Sequence, residues 1–243
     1  MKRAYFCILF FIIIASSCKK DNTEAPPPTT TVGNLTVQFS YTFDATALQT
    51  DTIGYVNAAG YKMSVTRLQY YLSKFVLVNA DGITTYPINQ AYYLDAKDPY
   101  FSSITFIDVP NGNYKGLRFM IGLDTAMNKT YYLPATVENN NMEWPVQMGG
   151  GYHFMKLEGS FIDTAGTWGY NMHLGTNGNS VNISLPNKAF LINSNTTSIQ
   201  LKMNVSEWFK NPSTYDFNID GVYSMGKAPA MLKLKNNGVD VFN

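Results

Sequence analysis

From Leu35 onward, apolar residues recur at alternate positions in short runs broken by Gly, Asn, Asp and Pro. That is the period of a strand with one face buried. The pattern predicts strands over 35–43, 75–79, 83–88, 114–122, 152–159, 180–185, 198–205 and 217–223. Asn79-Ala80-Asp81-Gly82 and Pro110-Asn111-Gly112-Asn113 supply turns in which glycine can take positive φ. Many short strands joined by turns predict an all-β fold, an antiparallel β-sandwich with a few short helices.

Three segments depart from that period. In 67–75 the apolar residues Leu68, Tyr71, Leu72 and Phe75 fall at i, i+3, i+4 and i+7 behind Thr66, which predicts a short helix. Ser206 can cap a second around Glu207, Trp208 and Phe209. A third runs over 231–236, with Pro229 tolerated in its first turn and Gly238 to close it.

The N-terminal segment belongs to a different class. Lys2 and Arg3 precede an apolar run from Ala4 to Ala15, and Ala15-Ser16-Ser17-Cys18 follows. This is the layout of an export signal with a small-residue cleavage site. The apolar run is too short for the roughly 20 residues of a membrane span. A cysteine directly after small residues resembles the lipobox of bacterial lipoproteins. We therefore expect 1–17 to be a lipoprotein signal peptide and Cys18 the lipidated residue. Residues 18–33 then form a flexible Pro/Thr-rich linker, and 34–243 the folded domain. The expected location is the bacterial cell envelope, with the membrane reached through the lipid anchor.

Composition narrows the chemistry. The chain has 243 residues, 45% of them hydrophobic and 14% charged, with a formal net charge of +1. It lacks the basic excess of a nucleic-acid binder. Cys7 leaves with the signal and Cys18 carries the lipid, so the mature domain has no thiol for catalysis, disulfides or thiolate metal sites. No G-x-S-x-G elbow is present, and Gly149-Gly150-Gly151 leads into a strand rather than a phosphate-binding helix. We expect no intrinsic catalysis. The two histidines, His153 and His173, lie close in sequence to Met142, Met148, Met155 and Met172. Imidazoles with thioethers suit Cu(I). The same residues also read as satisfied strand histidines and core-filling methionines.

Five segments carry a more specific signal. YKMSVTRLQYYLSKFVLVNADG (61–82), VPNGNYKGLRFMIGLD (109–124), MEWPVQMGGGYHFMKLEG (142–159), YNMHLG (170–175) and AMLKLKNNGVDVF (230–242) resemble the MbnP-like copper-binding proteins. The resemblance implies an exported β-rich protein that binds copper, as Cu(I), through histidines and a tryptophan oxidised to kynurenine. It implies a di-haem peroxidase-like partner that performs the oxidation and an outer-membrane transporter for the copper chelator. Matched position by position, it points to Trp144 and His173. Tyr41 and Tyr223 stand where relatives often carry further histidines, and Met225 follows in the Tyr223-Ser224-Met225 segment. The metal residues expected are His153, His173, Trp144, Met148, Met172 and Met225.

Alternation sets a geometric condition on that site. In 152–159, His153 points with Met155 and Leu157, toward the expected core, whereas in 169–175 His173 points with Asn171, away from Met172 and Leu174. The two imidazoles meet only if a bulge intervenes, and the glycine triplet just before Tyr152 is a place for one. The competing function is a surface lipoprotein that binds glycan or protein through exposed aromatics, among them Trp168, Trp208 and the Tyr92-Tyr93 and Tyr131-Tyr132 pairs, with the copper site lost.

Overall fold

The computed structural model describes residues 31–243. The expected signal peptide, Cys18 and most of the linker lie outside the described residues. Eight longer strands organise the fold. They are β1 (Val32–Phe43), β2 (Arg67–Asn79), β3 (Ser103–Pro110), β4 (Gly112–Ile121), β5 (His153–Asp163), β6 (Gly166–Gly175), β7 (Val181–Leu185) and β8 (Thr196–Asn204). Three helices join them: α1 (Val137–Asn141), α2 (Phe217–Asp220) and α3 (Ala228–Asn237). None of the described helices is long and apolar enough to cross a membrane.

The strands form a mostly antiparallel β-sandwich. In the smaller sheet β1 lies between β3 and β8. The β1–β8 pair is parallel, from Asn34↔Thr196 to Thr42↔Asn204, an exception to the expected antiparallel order. In the larger sheet the path runs β7, β4, β2, β5, with β6 paired to β5. Between the layers, Phe75 of β2 packs on Phe106 of β3 with ring centroids 5.0 Å apart. Tyr70 shares a 3.0 Å hydrogen bond with Tyr41 across the same gap. The C-terminal Phe242 closes the interior against Phe39 and Phe119.

Strand β1 begins at Val32, so Gly33 belongs to the sheet and not to the linker. A Cβ on Gly33 would sit 1.7 Å from the Asn193 carbonyl oxygen, and only glycine admits that approach. The helix expected over 67–75 is instead the first two-thirds of β2. The ladder slips between Ser73 and Val76 against Met120 and Arg118, and Lys74 sits at φ 54. One extra residue turns a two-residue step into three, so Leu68, Leu72 and Phe75 acquire helical spacing while sharing the sandwich face. Tyr71 is buried on the other face, edge-on to Tyr93 and Tyr152, which completes the false period.

The strand expected over 217–223 is mainly helix α2. Asp216 accepts hydrogen bonds from the Asn218 and Ile219 backbone N–H groups and closes a single turn there. Only its end pairs with the sheet, where Tyr223 bridges Asn171 of β6. The turn at Trp208 is a 3₁₀ segment, Val205–Phe209, capped by Asn204 rather than Ser206. The C-terminal helix carries its proline in the first turn and Gly238 at its end, as expected.

Because Phe75 is fully buried at the junction of the two layers, Phe75→Ala should destabilise the domain by about 3–5 kcal/mol. Urea unfolding followed by tryptophan emission measures it. A loss below about 1 kcal/mol would show that the ring is not the inter-sheet contact described here.

Candidate metal centre

The site grows out of the β5–β6 ladder. Lys156 faces His173, Leu157 faces Met172 and Glu158 faces Asn171. Directly opposed residues share a face, so His173 lies with Lys156 and Glu158, while Met172 points into the core beside Leu157. Met172 therefore does not join the site. The alternation seen in the sequence already placed it opposite His173.

His153 behaves differently from its alternation. The register breaks between His153 and Met155, where two residues of β5 advance against one of β6 and His153 comes to face Gly175. Gly175 shares the face of His173, two residues earlier. This bulge turns His153 away from Met155 and Leu157 and onto the His173 side. The expectation that His153 points with Met155 is corrected on that account, and the condition for pairing the imidazoles is met. The ring centroids lie 4.9 Å apart, edge to face. Backbone irregularity begins just before, with Gly149, Gly150 and Gly151 all at positive φ.

Trp144 completes the cluster. Its buried indole lies 4.7 Å from the His153 ring, centroid to centroid, and its Nε1 donates to the Met148 carbonyl at 3.2 Å. A Cβ on Gly175 would stand 2.3 Å from the indole, so the missing side chain makes the space the indole fills. At the rim, the Met148 methyl lies 3.1 Å from where a Gly226 Cβ would be. Ser224 Oγ accepts from the His173 N–H and donates to the His173 carbonyl, each at 2.6 Å, which anchors half-buried Met225 next in the chain.

Hydrogen bonding fixes which nitrogen of each ring is free. His153 Nδ1 lies 3.2 Å from the Met142 carbonyl oxygen, which can only accept, so this nitrogen carries the proton and Nε2 the lone pair. Burial first, then the charge of Lys156 and the neighbouring His173, hold the His153 pKa down at about 3, so the ring is neutral at pH 7. His173 Nε2 donates to Glu158 Oε1 at 2.9 Å, which leaves Nδ1 as the second nitrogen of the ring. That Nδ1 is buried without a hydrogen-bond partner. Burial alone would raise the Glu158 carboxyl. The His173 hydrogen bond and Arg67, which reaches both carboxylate oxygens at 2.8 and 3.0 Å, outweigh it and hold the carboxyl below its usual range.

Sequence reasoning missed Glu158 and Arg67 as parts of this centre. Arg67 reaches Glu158 only through the pairing of β2 with β5, which the sequence does not display. Tyr41 is not placed as a ligand. Its hydroxyl is bonded to Tyr70, and burial pushes its pKa up to about 12, which keeps the phenol protonated. Tyr223 lies on the outer edge of β6 with Lys227 Nζ 3.8 Å above its ring.

Two neighbouring imidazoles, each oriented through one ring nitrogen by a carbonyl or carboxylate oxygen, form the arrangement that metal-binding histidines adopt. The orphaned Nδ1 of His173 is the observation that fits a metal. Among the described residues no three His, Cys, Asp or Glu side chains converge on a point, and Glu158 is spent on His173. The centre thus suits a soft ion of low coordination number rather than a hard cation.

Residues 32–225 match the profile of the MbnP family. The chain belongs to that family. Among solved structures, MbnP from Methylosinus trichosporium is similar at 14% identity and a TM-score of 0.58, over 86% of this chain and 97% of that one. At such low identity the match speaks to the fold alone. No curated protein matches the chain.

Two predictions follow the hydrogen bonding. Removing the carboxylate in Glu158→Ala should release His173 from a single tautomer, read by long-range ¹H–¹⁵N correlation of the ring nitrogens. An unchanged Nε2–H pattern would dismiss the role given to Glu158. The depressed pKa of His153 carries a pH signature too. The unfolded chain binds a proton there below about pH 6.5 while the folded ring resists until about pH 3. His153 thus supports the fold above pH 6.5 and loses that contribution as pH falls toward 3. In His153→Gln the decline of unfolding free energy across that interval should be shallower than in the parent.

Proposed function

We propose that this MbnP-family domain binds copper, as Cu(I), at His153 and His173, and serves copper acquisition or delivery as a lipid-anchored protein of the bacterial cell envelope. The observation that carries the reading is the pair of adjacent imidazoles, each oriented through one ring nitrogen, with His173 Nδ1 buried and unpartnered. Nitrogen donors in a two-coordinate arrangement are ordinary for Cu(I), and the nearby thioethers of Met148 and Met225 are soft enough to supplement them.

Copper would supply an acceptor for both lone pairs. The protein's own residues do the rest. Met142 and Glu158 hold the tautomers, Trp144 excludes water from the His153 side, and Lys156 is tied to the Asn141 carbonyl. Under this reading Trp144 is the residue a di-haem partner oxidises to kynurenine, and an outer-membrane transporter handles the copper chelator. The N-terminal signal and Cys18 supply the anchor.

Titration of the purified domain with Cu(I) against a colorimetric chelator tests the proposal. We expect one copper per chain and a loss of at least a hundredfold in affinity for either His153→Ala or His173→Ala. The Met172→Ala variant should bind as the parent does. Equal affinity in the double histidine variant would overturn the assignment. An intact mass shifted at Trp144 in protein purified from the native envelope would support the partner reaction.

A further inference from the structure

A second site lies on the outer face of β2, the sheet face that also carries His173, and has no lining residue in common with the imidazole pair. An open cleft of about 770 Å³ is lined there by Tyr93, Tyr100, Phe101 and Tyr132, together with Asn89 and Gln90. Its size falls within the roughly 300–1,000 Å³ of ligand pockets. Tyr100 is 82% exposed and Tyr132 55% exposed. Aromatic rings held this far out in water are the informative exception among surface residues.

Both walls are rigid. Tyr100 sits on a one-turn 3₁₀ segment, Pro99–Phe101, where Asp98 accepts from the Tyr100 N–H and Ser102 Oγ donates to the Pro99 carbonyl at 2.6 Å. Phe101 turns inward, edge-on to Tyr93 at 4.9 Å and at 4.9 Å to Tyr100, so the three rings brace one another. On the other wall, Tyr131 takes a φ of 62, a left-handed conformation unfavourable for a bulky residue, and thereby sets the path of Tyr132. The following Leu133 N–H is held by the Tyr152 hydroxyl at 2.9 Å, and the Tyr132 N–H by the Lys129 carbonyl at 3.0 Å. The platform is preorganised, so a ligand need not pay for ordering it.

The polar groups define the ligand. Gln90 accepts from the Tyr92 hydroxyl at 3.0 Å, which fixes its amide and leaves both of its N–H donors. No lysine or arginine lines the cleft, and its one charge is the carboxylate of Glu138. Phosphates, sulfates and uronates are therefore disfavoured. Flat aromatic faces beside planar amides and a carboxylate suit a ligand that alternates apolar C–H faces with hydroxyl rims.

We propose that this cleft binds an uncharged oligosaccharide, with Tyr100 and Tyr132 stacking on sugar rings and Asn89, Gln90 and Glu138 bonding their hydroxyls. The site is separate from the imidazole pair and does not depend on copper being bound. Glycan binding thus stands beside the metal centre instead of replacing it. Trp208, one of the aromatics expected for this role, is fully buried, and Trp168 lies outside the cleft with its Nε1 bonded to Asp163.

The test is native affinity electrophoresis of the folded domain in gels containing β-glucan, xylan, mannan or starch, with alginate as the anionic comparison. At least one neutral polymer should retard the parent protein, and Tyr100→Ala and Tyr132→Ala should each weaken that retardation tenfold or more. Both side chains are exposed, so the variants should keep the parent melting temperature. The His153→Ala/His173→Ala and Trp168→Ala proteins should migrate as the parent does. Migration unaffected by every neutral polymer, retardation undiminished in both tyrosine variants, or retardation by alginate alone would overturn the proposal.

Discussion

One extra residue in β5 decides what this domain can do. In a regular ladder His153 would enter the core between the sheets, and His173 would face the opposite way. The bulge between His153 and Met155 rotates His153 by one strand face and leaves Phe154 and Met155 buried behind it. Everything else at the centre follows from that rotation. Gly175 faces the turned residue and clears the space for Trp144, and the indole then covers the imidazole it touches. A side chain on Gly175 would displace the indole, so the bulge, the glycine and the tryptophan act as one unit.

Electrostatics then selects the state of the pair. Two imidazoles 4.9 Å apart repel if both are protonated, and burial beside Lys156 settles His153 as neutral. Arg67 takes both oxygens of Glu158, and the carboxylate orients the His173 ring through Nε2. Without a free carboxylate beside the two rings, the cluster lacks the oxygen donors that hard divalent ions require.

The sequence made much of this legible, and the same feature explains where it failed. Alternation located six of the eight longer strands, at least in part, and the resemblance over 61–82, 142–159 and 170–175 led to Trp144 and His173. Two of the errors came from one-residue insertions, which periodicity cannot register. The slip at Ser73 to Val76 gave β2 a helical spacing, and the slip at His153 put that histidine on the wrong face. Helix α2 was misread because Phe217 and Ile219 alternate like a strand. Capping by Asp216 outweighed them, and Ile219 is left exposed. Glu158 and Arg67 could not be read at all, because their role exists only once β2, β5 and β6 are aligned.

The glycine triplet links the two sites. Tyr152 and His153, adjacent in the chain, each fasten one end of the segment between Leu133 and Met142. The Tyr152 hydroxyl receives the Leu133 N–H below the cleft, while the Met142 carbonyl receives both the backbone and ring N–H of His153. Helix α1 lies between these anchors, capped by Thr136 and carrying Glu138 and Asn139 into the cleft wall. The segment can dock only because Gly150 and Gly151 lack side chains. A Cβ on either would stand 2.3 Å from Thr130 Oγ1 or Asn128 Oδ1, the atoms that accept the backbone N–H groups of Gly151 and Tyr152. These glycines are therefore a docking surface and not a flexible joint. Their rigidity holds the carbonyl that sets the His153 tautomer and the tyrosine that lines the cleft in one fixed relation.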